Sequence, residues 1–343
     1  MYKEIMAKIT AKQELSEAEI FALIQGINEN AVSDVQIAGF QVALLMKGAS
    51  LREIASIAKA MRRSCVPLRP QVASEMMDTC GTGGGLSTFN ISTATALVAA
   101  AAGIPVAKHG SRSISSLSGS ADVLEALGIN IHLTPTQAEK LIEEIGISFL
   151  YAPLFHPVMC KVLPPETELG IKTIFYTIIG PLINPAFAPR HLLGVYKPEL
   201  LDTVAYVARE LGYTNAMFVY GTDGLDEISL IGTTKIYELR GGKVKKYEIC
   251  PEAFGLRRCA LEDIKTGTPE ENAAAITGVF DGKITGPRRD AILLNAAGAL
   301  MIGGKANDFA EGIARAAQLI DSGATRRKLE ELRKLSNRFG KVG

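Results

Sequence analysis

No excess of charge marks this 343-residue chain: 37 Lys and Arg stand against 36 Asp and Glu, a net charge of +1. Its overall field therefore recruits neither nucleic acid nor a membrane surface, and any anionic ligand must be held by local groups. Nor do its cysteines form a pattern. Cys65, Cys80, Cys160, Cys250 and Cys259 are odd in number and widely spaced, with no C-x-x-C pair, which removes the usual zinc and redox motifs and points to a reduced, cytoplasmic setting. Long apolar runs are missing as well. The longest, "ATALVAAAAGIPVA", is Ala-rich, broken by Gly and Pro and too short to cross a bilayer, and the opening "MYKEIMAKIT" has no apolar signal core. Neither secretion nor membrane insertion is expected, and no internal repeat or low-complexity tract is present.

What is present is 47% hydrophobic residues over a length sufficient for one large domain with a satellite, or two modest domains. Residues 1 to 64 read as helices. "SEAEIFALIQGI" opens with a Ser-x-x-Glu capping box at Ser16 and Glu19, and two further segments show apolar residues at three- and four-residue spacing, with stops at Gly26 and Gly48. "CVPLRPQVAS" suits a linker. From residue 76 short apolar runs alternate with helical stretches: "MMDTCG", "IPVAKHG", "NIHL" and "ISFLYAP" as strands, the Ala-rich "STATALVAAAAG", "SADVLEALGI" and "TPTQAEKLIEEIG" as helices, the last capped by Thr134 or Thr136. That alternation predicts an α/β fold with a mostly parallel sheet covered by helices. The proline-rich "PPETELGIKTIFYTIIGPLINPAFAP" reads as a second crossing between lobes. "LLDTVAYVARELG" and "NAMFVYG" resume the α/β pattern, "EISLIGTTKIYELRGGKVKKYEI" alternates around a Gly-Gly turn as antiparallel strands do, and the end, "GPRRDAILLNAAGALMIGG" and "DFAEGIARAAQLIDSGATRRKLEELRKLS", is again helical. The expected division is a helical domain over 1–66, with a contribution from about 164–190, and an α/β domain over 75–340.

Three clusters carry chemistry. "CGTGGGLSTFNIST" sets four glycines within five positions ahead of Asn90, Ser92 and Thr93. It lacks the Walker A lysine, and Leu86 stands where G-x-G-x-x-G needs its third glycine, so both nucleotide fingerprints fail. What remains is a backbone nest at a helix start, suited to phosphate oxygens; one glycine would suffice for a tight turn. "AKHGSRSISSLSGSADVLE" places Lys108 and His109 at a strand end, followed by a hydroxyl-rich loop, of which Ser113 to Leu117 reads most simply as solvated. In an α/β sheet the loops at the carboxyl ends of strands converge on one crevice, which allows both clusters to line it. "YGTDGLDEISL" sets adjacent carboxylates Asp226 and Glu227 in a loop. Beside two phosphate-type loops they suit Mg²⁺ bound through carboxylates and substrate phosphates.

Together with "SGSADVLEALG", "FLYAPLFHP", "LGIKTIFYTIIGPLINP" and "GPRRDAILLNAAGAL", these segments make the chain resemble the anthranilate phosphoribosyltransferase family over nearly its full length. The resemblance implies a nucleoside-phosphorylase-like fold, a site in the hinge cleft, commonly a homodimer through the helical domain, and 5-phosphoribosyl 1-diphosphate as donor to an aromatic amine acceptor, with Mg²⁺. By the same resemblance Gly81, Thr82, Gly83, Gly84, Thr88, Asn90, Ser92, Thr93, Lys108 and Ser120 hold the donor. Ser92, Asp226 and Glu227 hold the metal, and His109, Ser111, His156, Glu166, Tyr176, Gly180 and Pro181 face the acceptor. No covalent nucleophile is needed, since loss of diphosphate asks mainly for positioning and charge stabilisation.

The chain departs from the family pattern at four places. The glycine segment is one residue shorter and lacks the aspartate of G-G-D-G. The asparagine of K-H-G-N-R is Ser111, the arginine of V-R-x-x-L-G falls at Glu166, and the asparagine of T-x-F-N is Tyr176. A carboxylate at Glu166 facing the acceptor would repel anthranilate's own, so an acceptor without an ortho carboxylate is expected, with Lys161 or Lys172 as the sources of charge if Glu166 points away. Authentic anthranilate transfer is the alternative. A pyrimidine nucleoside phosphorylase would want K-x-S-T-G-G, which is absent. A non-catalytic nucleotide- or nucleic-acid-binding paralogue is disfavoured by the near-neutral charge and by Lys108, Asp226 and Glu227 all being present.

Overall fold

The computed structural model describes residues 1–113 and 117–340. Four helices open the chain: α1 (Tyr2–Thr10), α2 (Glu17–Asn28), α3 (Asp34–Lys47) and α4 (Leu51–Arg63). Capping boxes start three of them, at Ser16 with Glu19, Ser33 with Gln36 and Ser50 with Glu53, each satisfying backbone N–H groups that the first turn leaves free. Gly48 ends α3 with φ +79°, as expected. Gly26 does not end α2. The helix runs on to Asn28, and the glycine serves close packing instead, since a Cβ there would lie 3.1 Å from the Val32 side chain.

Among the described residues seven strands form one sheet, in the order β3-β2-β1-β4-β5-β6-β7. The strands are β1 (Met77–Gly81), β2 (Val106–Gly110), β3 (Ile147–Tyr151), β4 (Arg190–Gly194), β5 (Asn215–Gly221), β6 (Thr234–Arg240) and β7 (Lys243–Ile249). The first five are parallel and the last two antiparallel, turning at Gly241 and Gly242, both with positive φ. This is the mostly parallel α/β architecture expected. Helices α5 (Ile91–Ala101), α6 (Ser120–Ala126) and α7 (Pro135–Ile145, capped by Thr134) follow the early strands, α11 (Leu200–Glu210) joins β4 to β5, and α12 (Leu261–Ile264) through α13 (Pro269–Phe280), α14 (Pro287–Ile302), α15 (Phe309–Asp321) and α16 (Ala324–Asn337) complete the chain. The Ala-rich α5 is buried against α14, where small side chains let the two backbones approach.

The proline-rich middle does cross to the helical lobe. Preceded by α8 (Ala152–Phe155), it takes in the second half of α9 (Met159–Leu169), a π-helical turn at Phe175–Ile179 and α10 (Gly180–Leu182). Phe175, Ile179 and Leu182 from this stretch, with Val162 just before it, share one buried cluster with Ile24, Phe40 and Ile57 of the four opening helices. Two strand readings need correction. "NIHL" is not a strand: the Asn130 N–H donates to the Ser336 hydroxyl and its side-chain amide to the Ser336 and Gly340 carbonyls, which ties the segment to the C-terminal helix instead of to a sheet. Central strand β4, "RHLLG", escapes sequence reading because it is short, shows no alternation and begins with two polar residues. Helix α13, "PEENAAAITGVF", is likewise unanticipated. The solvated loop expected from Ser113 to Leu117 includes residues 114–116, which lie outside the described residues.

Candidate functional site

Strand order reverses between β1 and β4: β2 and β3 lie on one side, β5 on the other. In open α/β sheets ligands bind at the carboxyl ends of strands at such a switch point, and the glycine segment leaves β1 there. Gly83 and Gly84 have φ +64° and +90°, and Gly84 lies against the ring of Tyr196, just after β4. The loop "GTDGLDE" after β5 comes over both strand ends so closely that a Cβ on Gly81 or Gly194 would fall within contact distance of Asp226. Around these ends opens a cleft of about 860 Å³, lined from both lobes. Its volume suits two small substrates together.

The side of this cleft formed by the strand ends is polar and tightly wired. Asp226 Oδ2 accepts the Gly83 N–H at 2.8 Å, and Glu227 Oε1 accepts the Thr88 hydroxyl at 3.0 Å. Burial pushes both carboxyls up, Glu227 further because Asp226 adds like charge, while the Gly83 N–H holds Asp226 down. Glu227 Oε2 is buried with no hydrogen-bond partner among the described residues. A desolvated acid pair with an orphaned oxygen fits a divalent cation bound through oxygen. Lys108, on β2, gives its ammonium to the Thr79 carbonyl at 2.6 Å and reaches Ser92 Oγ at 3.5 Å. Burial lowers its pKa, against the pull of Asp78, Cys80 and Glu227. Asn90 sits in the left-handed region at φ +62°, which Asn tolerates. Its side chain stitches the segment to Ser118 and to Asn272 of α13.

Of the expected donor and metal residues, Gly81, Thr82, Gly83, Gly84, Thr88, Asn90, Ser92, Lys108, Ser120, Asp226 and Glu227 all line the cleft. Thr93 does not. Its side chain is buried on the sheet side of α5, next to Leu97 and Phe149, because one residue past Ser92 turns it about 100° around the helix.

The other side of the cleft is more apolar and comes mostly from the crossing segment. His109, Ser111, His156, Tyr176, Gly180 and Pro181, expected to face the acceptor, all line this same cleft. His109 and His156 meet edge to face with centroids 4.9 Å apart, and three of their four ring nitrogens lack partners among the described residues. Burial holds both neutral: it lowers His156 to about 3 and His109 well below the ordinary range, where His156 and His191 depress it further.

Glu166 is the correction with consequences. Cys160, Leu163, Pro164 and Thr167 form the cleft face of α9, whereas Glu166 is 2% exposed and turned into the helical lobe. There it accepts from the Thr173 hydroxyl and N–H and from Gln41 Nε2 at 3.1 Å. Its carboxylate cannot face an acceptor. Lys161 is no substitute cation, since it caps α2 at the carbonyls of Ile27 and Asn28, while Lys172 lies over the Tyr176 ring at 4.9 Å.

Several site residues were not singled out from the sequence. Buried Asp78 accepts the N–H groups of Thr79 and His109 and the Asn184 amide, fixing the strand ends relative to each other. Its signal is the strand alternation that puts Asp78 and Cys80 on one face. Arg112, at the cleft edge, is engaged by Asp122 and Glu125. Met159 and Phe175 on the acceptor wall carry no signal beyond their hydrophobicity.

Comparison with known proteins adds family evidence to this geometry. Residues 73–326 match the family model "Glycosyl transferase family, a/b domain", and residues 3–65 match "Glycosyl transferase family, helical bundle domain". An anthranilate phosphoribosyltransferase of Acetivibrio thermocellus is 46% identical over 340 residues, 99% of this chain and 98% of that protein. Among solved structures, the Thermus thermophilus anthranilate phosphoribosyltransferase superposes with TM-score 0.90 at 40% identity, covering 97% of this chain and 99% of that one. The Saccharomyces cerevisiae enzyme in complex with PRPP and Mg does so with TM-score 0.90 at 29% identity, covering 98% of each chain, and its complex with 4-fluoroanthranilate with TM-score 0.88 at 28% identity and the same coverage.

Proposed function

The chain belongs to the anthranilate phosphoribosyltransferase family, and from that premise we propose that it moves a 5-phosphoribosyl group from its 1-diphosphate to anthranilate, releasing diphosphate, in tryptophan biosynthesis. The observation that carries the reading is the convergence, at one switch point, of the glycine nest, Lys108 and the Asp226–Glu227 pair. The nest and the α5 start offer N–H groups to phosphate oxygens. Lys108 brings a fixed positive charge to the same corner. Asp226 and Glu227, with Ser92 lining the same cleft, are the residues that would hold Mg²⁺; when bound, the ion would supply positive charge against the negative charge developing on the leaving diphosphate.

On the other wall, neutral His109 and His156 pack edge to face beside the slot that an aromatic amine would enter, and Pro181 and Tyr176 bound it. The protein's task is to orient the amine towards the sugar carbon and keep water from competing. No side chain has to form a covalent bond. A second reading, an acceptor without a carboxylate, draws on two observations: Arg112 is ion-paired, and Glu168 also lines this cleft. An acceptor panel at fixed donor and Mg²⁺, read by diphosphate release, separates the two. Anthranilate as the best acceptor supports the first, and a carboxylate-free amine outperforming it supports the second.

The assembly we propose is a homodimer through the helical lobe. Val35, Val42, Leu45 and Met46 project from α3 and remain between 39% and 83% exposed, an apolar stripe at helical spacing. Light scattering in solution should give twice the chain mass, and Val42→Lys with Met46→Lys should give monomer. Among the described residues no helix is long and apolar enough to cross a membrane. The five free cysteines suit the reducing cytoplasm, where we place the enzyme.

A further inference from the structure

Beneath the glycine segment lies a cluster that the donor and acceptor walls do not use. Asp78 and Cys80 are two apart on β1 and share a face; His191, on neighbouring β4, pairs in register with Asp78 and projects to the same side. Cys80 Sγ lies 3.1 Å from His191 Nε2, Asp78 Oδ2 lies 4.0 Å from the same nitrogen, and the three ligating atoms fall within 4.8 Å of one another.

Each member is oriented by its surroundings. Asp78 is held by the Asn184 amide at 2.7 Å and by two backbone N–H groups, with a lone pair of Oδ2 left over. His191 stacks on Tyr213 at 5.7 Å and 18°, which fixes the ring with Nε2 towards the thiol. Its Nδ1 is buried with no partner among the described residues. Burial keeps the imidazole neutral, the form that ligates a metal. Lys108, the nearest cation, is committed to the Thr79 carbonyl. Cys80 lines the cleft while Asp78 and His191 are fully buried, so the cluster is approached from its thiol side.

We propose that Asp78, Cys80 and His191 form a second cation site, separate from Asp226 and Glu227, for a thiophilic dication of the Zn²⁺ class, and that its occupation opposes donor binding. One sulfur, one imidazole nitrogen and one carboxylate oxygen around an open position are a ligand set that Zn²⁺ accepts and Mg²⁺, which demands oxygen, does not. The ion replaces the thiol proton, which leaves to solvent; the Cys80 thiolate and Asp78 then balance the two positive charges. Tetrahedral bonds of about 2.3 Å to sulfur and 2.0–2.1 Å to nitrogen set these atoms about 3.6 Å apart, so binding spreads the Cys80–His191 pair by about 0.5 Å. Cys80 immediately precedes Gly81, and that movement displaces the donor nest.

The test is a Co²⁺ titration of the reduced, metal-free protein, read by the thiolate-to-cobalt charge-transfer band. One equivalent per chain is expected, displaced by Zn²⁺. Affinity should fall at least tenfold in Cys80→Ala and in His191→Gln, and roughly 10- to 100-fold in Asn184→Ala, which removes the partner of Asp78. Cys160→Ser, altering the other cysteine of the cleft, should leave the band intact. Absence of the band, or its survival in Cys80→Ala with loss in Cys160→Ser, overturns the site. Should the core variants fail to fold, X-ray absorption of the Zn²⁺-loaded wild type decides: a shell with one sulfur supports the site, and a shell of oxygen and nitrogen alone refutes it. In steady-state assays at saturating Mg²⁺, Zn²⁺ should raise KM for the donor before it lowers kcat. That competition rests on the donor reading while the thiolate band does not, so the two can fail separately.

Discussion

The two walls of the cleft are built on different principles. The proposed donor wall consists of strand ends and the loops leaving them, and its positions follow from topology: with β1 and β4 at the switch point and β2 and β5 parallel to them on either side, the loops carrying Gly81, Lys108 and Asp226 meet at the same end of the sheet. The acceptor wall is one face of a crossing helix followed by a π-turn, and which side chains it shows depends on how α9 is rotated against α3. Topology tolerates sequence change, whereas rotational phase does not. A missing loop residue leaves the donor wall recognisable, while a single turn of phase takes Glu166 out of the site.

The largest effect should come from breaking the donor wall at its acids. Asp226→Asn with Glu227→Gln is expected to lower kcat/KM by about 10³-fold or more, the scale on which lost electrostatic stabilisation of a leaving group is felt. The metal-free melting temperature should hold or rise, since a buried like-charged pair has been neutralised. Retained turnover in that variant, measured with Mg²⁺ present, contradicts the metal assignment.

On the acceptor wall, Glu166→Arg separates the two rotational phases. With Glu166 buried against Gln41 and Thr173, an arginine there leaves an uncompensated charge in the helical lobe and should destabilise the protein by about 3–5 kcal/mol in urea unfolding. A stable variant with improved anthranilate turnover would place the side chain in the cleft instead. Histidine charge gives a smaller handle. His109, His156 and His191 have folded pKa values lowered by burial, so the unfolded chain binds more protons as pH falls. Their contribution to stability is complete above about pH 6.5, the unfolded value, and is lost on acidification towards the folded value, about 3 for His156, at about 1.4 kcal/mol per pH unit for each histidine. Unfolding free energy should decline in that window, and His156→Phe should flatten the decline. The smallest effect is expected at Gly84, where φ +90° disfavours any side chain. Gly84→Ala should cost about 1 kcal/mol of stability and raise KM for the donor with little change for the acceptor.

Much of this was legible in the sequence for a physical reason. The capping boxes at Ser16 and Thr134, the Gly-Gly turn and the glycine nest are local codes, readable without knowing what packs on them. The Lys108–His109 strand end and the Asp226–Glu227 loop needed only the rule that loops at carboxyl ends share a crevice. What escaped depends on distant partners. β4 is a strand because β1 and β5 flank it, "NIHL" is held at Asn130 by the C-terminal helix and its end, and Gly26 lies within its helix where Val32 packs close to it. Thr93 and Glu166 were placed by position in a motif, yet their directions are set by the rotation of α5 and α9.

Diphosphate release by the pure protein with donor and Mg²⁺, measured with and without anthranilate, decides whether this cleft joins phosphoribosyl diphosphate to anthranilate. Release should require anthranilate, match its consumption one for one and disappear in the Asp226→Asn, Glu227→Gln variant. Release indifferent to anthranilate, or none with it while another amine is consumed, would rule that reaction out.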